Sequence, residues 1–155
     1  MAMEIHVLSD QRLTSITEWQ RVIDAEAFPL RLSPDVQLDT VSGFLPAQLD
    51  GKNTGFECYH DNADALINGD SEINFGRRWK FALGFRFVGD FTELRAAWMA
   101  ATAYARATAG VVYDPQEGRL YSAPEALQAV RQIERDWPAF ESAVQAVTRK
   151  FAEKS

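Results

Sequence analysis

The sequence predicts an α+β fold, a largely antiparallel sheet with helices packed mainly on one face. Three observations carry this. Trp79, Phe81, Leu83, Phe85 and Phe87 alternate with Lys80, Ala82, Gly84 and Arg86, the period of a strand with one apolar face. Directly after it, Phe91, Leu94, Trp98, Ala101, Ala105 and Thr108 recur at steps of three and four, one stripe of a long alanine-rich helix. Elsewhere short apolar runs follow one another with only turn residues between them, in the rough order β-α-β-β-β-α-β-β-α-β-α-α, which favours antiparallel neighbours. At 155 residues the chain is read as one domain, 1–155, long enough to bury a sizeable core.

In chain order, Glu4 to Leu8 is the first strand, with Ile5 and Val7 on one side and His6 on the other. Ser15-Ile16-Thr17-Glu18 is a capping box, and the helix it opens puts Ile16, Trp19, Val22, Ile23 and Phe28 on one side before Pro29 ends it. Leu30 to Asp35 is a loop, and Val36 to Val41 an edge strand. Gly43 to Leu49 and Phe56 to His60 form a hairpin whose long tip is opened by Asp50-Gly51, and Pro46 puts its strand at an edge. Asn62 caps a short helix through Leu66 and Ile67 that Gly69 ends, and residues 70–78 form a polar loop.

Gly89 and Asp90 break the central strand. Asp90 caps the alanine-rich helix, Gly110 stops it from the C′ position, and Val111 to Tyr113 is a short buried strand closed by Asp114-Pro115 and Gly118. Ser122-Ala123-Pro124-Glu125 is a second capping box, followed at helical spacing by Leu127, Val130, Ile133 and Trp137. Pro138 breaks or kinks that run. Phe140, Val144, Val147 and Phe151 continue as an apolar stripe.

Charge narrows the function classes. The net charge of −6 argues against a general nucleic-acid binder. Between Asp35 and Glu72 eight acids face Lys52 alone, while the remaining 14 acids and 15 bases nearly cancel. A cationic partner meets that segment first. The single cysteine fits a reducing cytoplasm, and neither a signal peptide nor a membrane-length apolar run is expected.

Candidate chemistry is thin. Cys58 and His60 share a strand face, and with His6 and a carboxylate they could approach a zinc set, but no paired ligand spacing supports it. A buried thiol beside a partly exposed histidine is the preferred account. Glu57, Asp61 and Asp64 could pair with Asp114 or Glu117 as hydrolase carboxylates, though such residues ordinarily sit in water. Arg77, Arg78 and Lys80 around Trp79 imitate a nucleic-acid patch with too few charges, and no phosphate-binding glycine loop is present. The helix alanines are assigned to close packing.

Two stretches carry a resemblance. Gly43-Phe44-Leu45-Pro46 leading to Thr54-Gly55-Phe56-Glu57, and Ala105 to Glu117 with Val-Val-Tyr-Asp-Pro at its centre, resemble a family of small cytosolic bacterial proteins. That family is similar to the immunity proteins accompanying polymorphic toxins, type VI secretion effectors among them. The resemblance implies a non-enzymatic protein that occludes one toxin, without cofactor or metal, and no catalytic residues to carry over. The acidic segment then supplies the expected contact residues, Asp50, Glu57, Asp61 and Asp64. Two other classes are kept: a small hydrolase or metal-dependent enzyme near Cys58 and His60, and a module that dimerises through its C-terminal helix, which exposed apolar residues at Phe140, Val144, Val147 and Phe151 would favour.

Overall fold

The computed structural model describes residues 2–88 and 90–154, except the side chains at 144, 145, 148 and 151–154. The fold is α+β. Seven strands form one antiparallel sheet: β1 (Ala2–Ser9), β2 (Leu30–Leu32), β3 (Ser42–Leu49), β4 (Lys52–Asp61), β5 (Phe81–Val88), β6 (Val111–Asp114) and β7 (Arg119–Ser122), in the order β2-β3-β4-β5-β1-β6-β7. Helices α1 (Ile16–Ala25), α3 (Phe91–Thr108) and α4 (Ala123–Lys154) contribute to the core on one face, and the short α2 (Ala63–Gly69) packs on the other.

Register follows the alternation. Ile5 stands opposite Phe85 and Val7 opposite Leu83, so both strands turn their large side chains to the same core. Cys58 stands opposite Phe85 and Val7 opposite Val112, which extends that apolar layer across five strands to Tyr121.

Helix α3 is buried on more than the single stripe its pattern predicts, because Arg95 to Ala105 are all buried. It lies against the sheet with α1 and α4 on its flanks, and Ala96, Ala97, Ala100, Ala101, Ala103 and Ala105 have no exposed surface. Small side chains let three layers approach closely. Asp90 caps it as expected, accepting from the Glu93 N–H at 2.7 Å. Its end differs: Ala109, not Gly110, adopts the left-handed conformation at φ 54°. Gly110 serves a different need, since a Cβ there would run into the Leu8 carbonyl.

Several expectations are corrected. The loop 30–35 contains the real edge strand, where Leu30 and Leu32 pair with Leu49 and Ala47, while the expected strand 36–41 is irregular apart from a 3₁₀ turn at Leu38–Thr40. The Gln20 side chain makes this edge, donating to the Leu30 carbonyl and accepting from the Leu32 N–H, both at 2.8 Å. Pro46 is therefore one strand in from the edge. Its carbonyl accepts from Ser33 N–H just past the end of β2, so its missing N–H falls where pairing has stopped.

The hairpin tip is tight, not long. Asp50 and Gly51 both have positive φ, 52° and 78°, and Leu49 pairs directly with Lys52. Helix α1 ends at Ala25, before Pro29, as Ala27 turns left-handed at φ 60°. Trp79 precedes β5 and packs in the second cluster, not on the main apolar face. Helix α4 runs through Pro138 without ending; that residue is exposed, so the missing hydrogen bond falls on a hydrated side. Arg119 to Tyr121, which the sequence leaves unassigned between the Gly118 turn and the Ser122 cap, pair with β6 as a strand that runs to Ser122. Gly89, expected to break the strand, lies outside the described residues.

Candidate functional site

The side of the sheet opposite α3 is only half covered. Toward β6, the helix α2 and the loop 70–80 lay Leu66, Ile67, Ile73, Phe75 and Trp79 over Leu8, Ala82 and Tyr113. Toward β3 nothing among the described residues lies on it. The pairings Phe44–Glu57, Glu57–Arg86 and Arg86–Glu4 set four side chains in one rung across β3, β4, β5 and β1. Phe44 is 60% exposed and Val88 53%, and both flank this charged rung. Glu57 and Arg86 stand 3.9 Å apart, each about half exposed, and two adjoining shallow depressions share them.

The next rung, Tyr59–Gly84–His6–Tyr113, is sealed. Gly84 lets the Tyr59 ring lie flat over β5, because a Cβ there would come within 2.5 Å of that ring. Tyr59 meets the His6 ring edge-on at 6.5 Å, and Tyr113 stacks on its far side at 6.1 Å, held by a 2.8 Å hydrogen bond from its hydroxyl to Asp70. Two tyrosines thus roof a histidine that is only 3% exposed on a face without a long helix.

Burial lowers the His6 pKa, against the opposing pull of Asp61 and then Glu4. The Asp61 carboxylate lies 3.3 Å from Nδ1, yet Nδ1 makes no hydrogen bond, so the two are close but misaligned. Burial, reinforced by the Glu4 and Asp61 charges, pushes Tyr59 up to about 12. Burial and the Asp70 bond push Tyr113 to about 12 as well. Both phenols therefore stay neutral, and this packed rung borders the open one.

This arrangement gives a pH dependence. A folded His6 with a lowered pKa binds fewer protons than the unfolded chain below the usual value of 6.5. Its contribution is whole above that pH and is lost as pH falls toward the folded value. Urea unfolding at about pH 7.5 and about pH 5.5 is expected to show lower stability at the acid value, with that difference reduced in His6→Gln. An unchanged difference in the variant would assign the acid sensitivity elsewhere.

Of the sequence-predicted contact residues, three lie along one path and one does not. Glu57 is in the open rung, Asp61 is at the end of β4 beside His6, and Asp64 follows in the first turn of α2, 3.3 Å from Arg78. Asp50 lies at the far end of the hairpin, roughly 30 Å from Asp61 along the strand rise. Its carboxylate is engaged by Arg95 at 3.1 Å.

The zinc set kept as an alternative does not assemble. Cys58 faces the main core with no exposed surface, its thiol pKa raised by burial, whereas His6 is on the opposite side of the sheet. His60 Nε2 lies 2.8 Å from the Leu38 carbonyl. Among the described residues no group of three His, Cys, Asp or Glu is placed to hold a metal ion. Asp114 is likewise remote from Glu57; its carboxylate accepts from Gln116 and Glu117 N–H at the β6–β7 turn. Arg77 pairs with Asp10 and covers the Trp79 ring, which dissolves the basic patch into local contacts.

Sequence reasoning missed Phe44, Arg86 and Gly84 as parts of one face. A glycine inside an otherwise bulky strand was the available signal, since it marks close approach by a neighbour. A second depression, a groove of about 600 Å³, opens among α3, β7 and α4 and is lined by Phe91, Trp98, Tyr121, Trp137 and Phe140 with Glu117 and Asp136 at its lip. Among the described residues no helix is long and apolar enough to cross a membrane. Comparison of the chain with family models, with curated proteins and with solved structures finds no match in any of the three.

Proposed function

We propose that the chain is a non-enzymatic immunity protein, which acts in the cytoplasm by covering a cognate secreted toxin with the open half of its sheet. The observation that carries this is the exposed Phe44 at the end of the Glu57–Arg86–Glu4 rung, on a sheet face with nothing among the described residues above it. Exposed aromatic residues are enriched at protein interfaces, where the ring is desolvated and neighbouring charges set orientation. Along this edge the four acids Glu4, Glu57, Asp61 and Asp64 stand against two arginines, Arg86 and Arg78, and that acidic excess would speed capture of a basic partner.

The test is protection in cells. Coexpression with the product of the adjacent reading frame is expected to restore growth that this product alone suppresses. Phe44→Ala is expected to weaken protection while leaving the circular dichroism spectrum unchanged. A growth-suppressing neighbour against which the native chain gives no relief would sink the proposal.

A further inference from the structure

We infer that the groove among α3, β7 and α4 binds a small organic cation, an amine or ammonium group carried on an apolar, part-aromatic body. The site is independent of the open sheet face, because Trp98 and Tyr121 belong to the helix-covered core on the other side. Its volume of about 600 Å³ falls within the span of about 300–1,000 Å³ usual for small-molecule sites. Ala129, Ile133 and Trp137 follow at four-residue steps along α4 and make one wall, while Phe91 and Leu94 from the first turn of α3 line it too. Ala129 has no reach across the groove, which leaves the space open.

The aromatic lining suits a cation. Trp98 and Tyr121 meet edge-on at 5.3 Å and are nearly buried, so they form the floor. Phe140 meets Phe91 edge-on at 5.4 Å and is 62% exposed, so it stands at the mouth. The face of an aromatic ring carries negative charge density and attracts a cation. The chain already uses two of these rings in that way: the Arg119 guanidinium lies 4.2 Å from the centre of the Tyr121 ring, and that of Arg95 lies 4.2 Å from the Trp137 ring.

Charge sets the sign of the ligand. Four acids, Asp114, Glu117, Glu125 and Asp136, line the groove against a single base, Arg119. Two of the acids are committed. Asp114 accepts from the Gln116 and Glu117 N–H, and Glu125 accepts from the Ser122 N–H and lies 3.7 Å from Arg119. Glu117 and Asp136 have no cationic partner among the described residues; Asp136 takes only a neutral donor, the Gln132 amide at 2.6 Å. An ammonium resting on the rings would be drawn to both carboxylates, whereas an anion of the same size would be repelled by them.

Titration calorimetry of the full chain with ethidium, a flat aromatic cation, and with anilinonaphthalene sulfonate, an aromatic anion of similar size, tests the assignment. Ethidium is expected to bind at one site with a micromolar dissociation constant, and the anion about tenfold more weakly or not at all. Glu117→Gln combined with Asp136→Asn is expected to raise the ethidium constant about tenfold. Asp35→Asn combined with Glu72→Gln removes the same charge from exposed positions elsewhere and is expected to leave it unchanged. Ala129→Trp fills the groove and is expected to abolish binding with an unchanged circular dichroism spectrum. Absence of saturable ethidium binding, equal or tighter binding of the anion, or equal effects of the two charge-removing pairs would overturn the assignment.

Discussion

Trp19→Ala is expected to lower the unfolding free energy by about 3–5 kcal/mol, read as a shift of the urea midpoint at constant slope. Trp19 has no exposed surface, and its ring meets Phe85 at 5.9 Å and Tyr104 at 5.3 Å, both edge-on. Its indole N–H donates to the Ala100 carbonyl at 2.9 Å, tying α1 to the middle of α3. The neighbours on that side are alanines, which have no reach to fill the space left behind. Trp19→Phe keeps much of the volume and loses the hydrogen bond, so a smaller loss of about 1–2 kcal/mol is expected. A loss below about 1 kcal/mol in the alanine variant would mean that α1 is not fastened to the core as described.

Arg95→Ala has the next largest expected effect, about 3 kcal/mol. Arg95 is 7% exposed at the side chain and holds Glu134 through two hydrogen bonds, 2.6 and 2.8 Å, with Asp50 at 3.1 Å and the Trp137 ring beneath it. Truncation removes a charge that joins the β3–β4 turn, α3 and α4. The estimate stays at the low end of the range for broken buried pairs because Asp50 is half exposed and can rehydrate. The same geometry separates the four acids first picked as contact residues. Asp50→Lys would set a cation against Arg95 and is expected to destabilise the fold, while Glu57→Lys, Asp61→Lys and Asp64→Lys together are expected to weaken partner capture. Equal stability loss from Asp50→Lys and Glu57→Lys would contradict that division.

How much of this was legible in the sequence depends on the scale of the signal. The α+β class, both helix caps at Ser15 and Asp90, the Ser122–Glu125 box and the main apolar strand faces follow from period and capping chemistry, and the structure shows them. The edge strand at Leu30–Leu32 was not legible, because three residues carry no period and its pairing is completed by Gln20 from another element. The turn at Asp50-Gly51 was seen, but its tightness depends on both residues taking positive φ.

The open rung was harder still. Phe44, Glu57, Arg86 and Glu4 become neighbours only through the order of four strands, and strand order is not encoded in the alternation of any one of them. The same holds for the His6 roof, which needs Tyr59 and Tyr113 to arrive from either side of it. Of the acids that charge clustering along the chain grouped together, Glu57, Asp61 and Asp64 share β4 and the start of α2. It grouped Asp50 with them only because sequence distance says nothing about which end of a hairpin a residue occupies.

Titration calorimetry of the native chain against the product of the adjacent reading frame tests most directly the claim that this molecule works through its exterior. A saturable complex is expected, with the dissociation constant raised about tenfold or more by Phe44→Ala combined with Glu57→Lys. Absence of binding by the native chain, or an affinity untouched by that double variant, would contradict it.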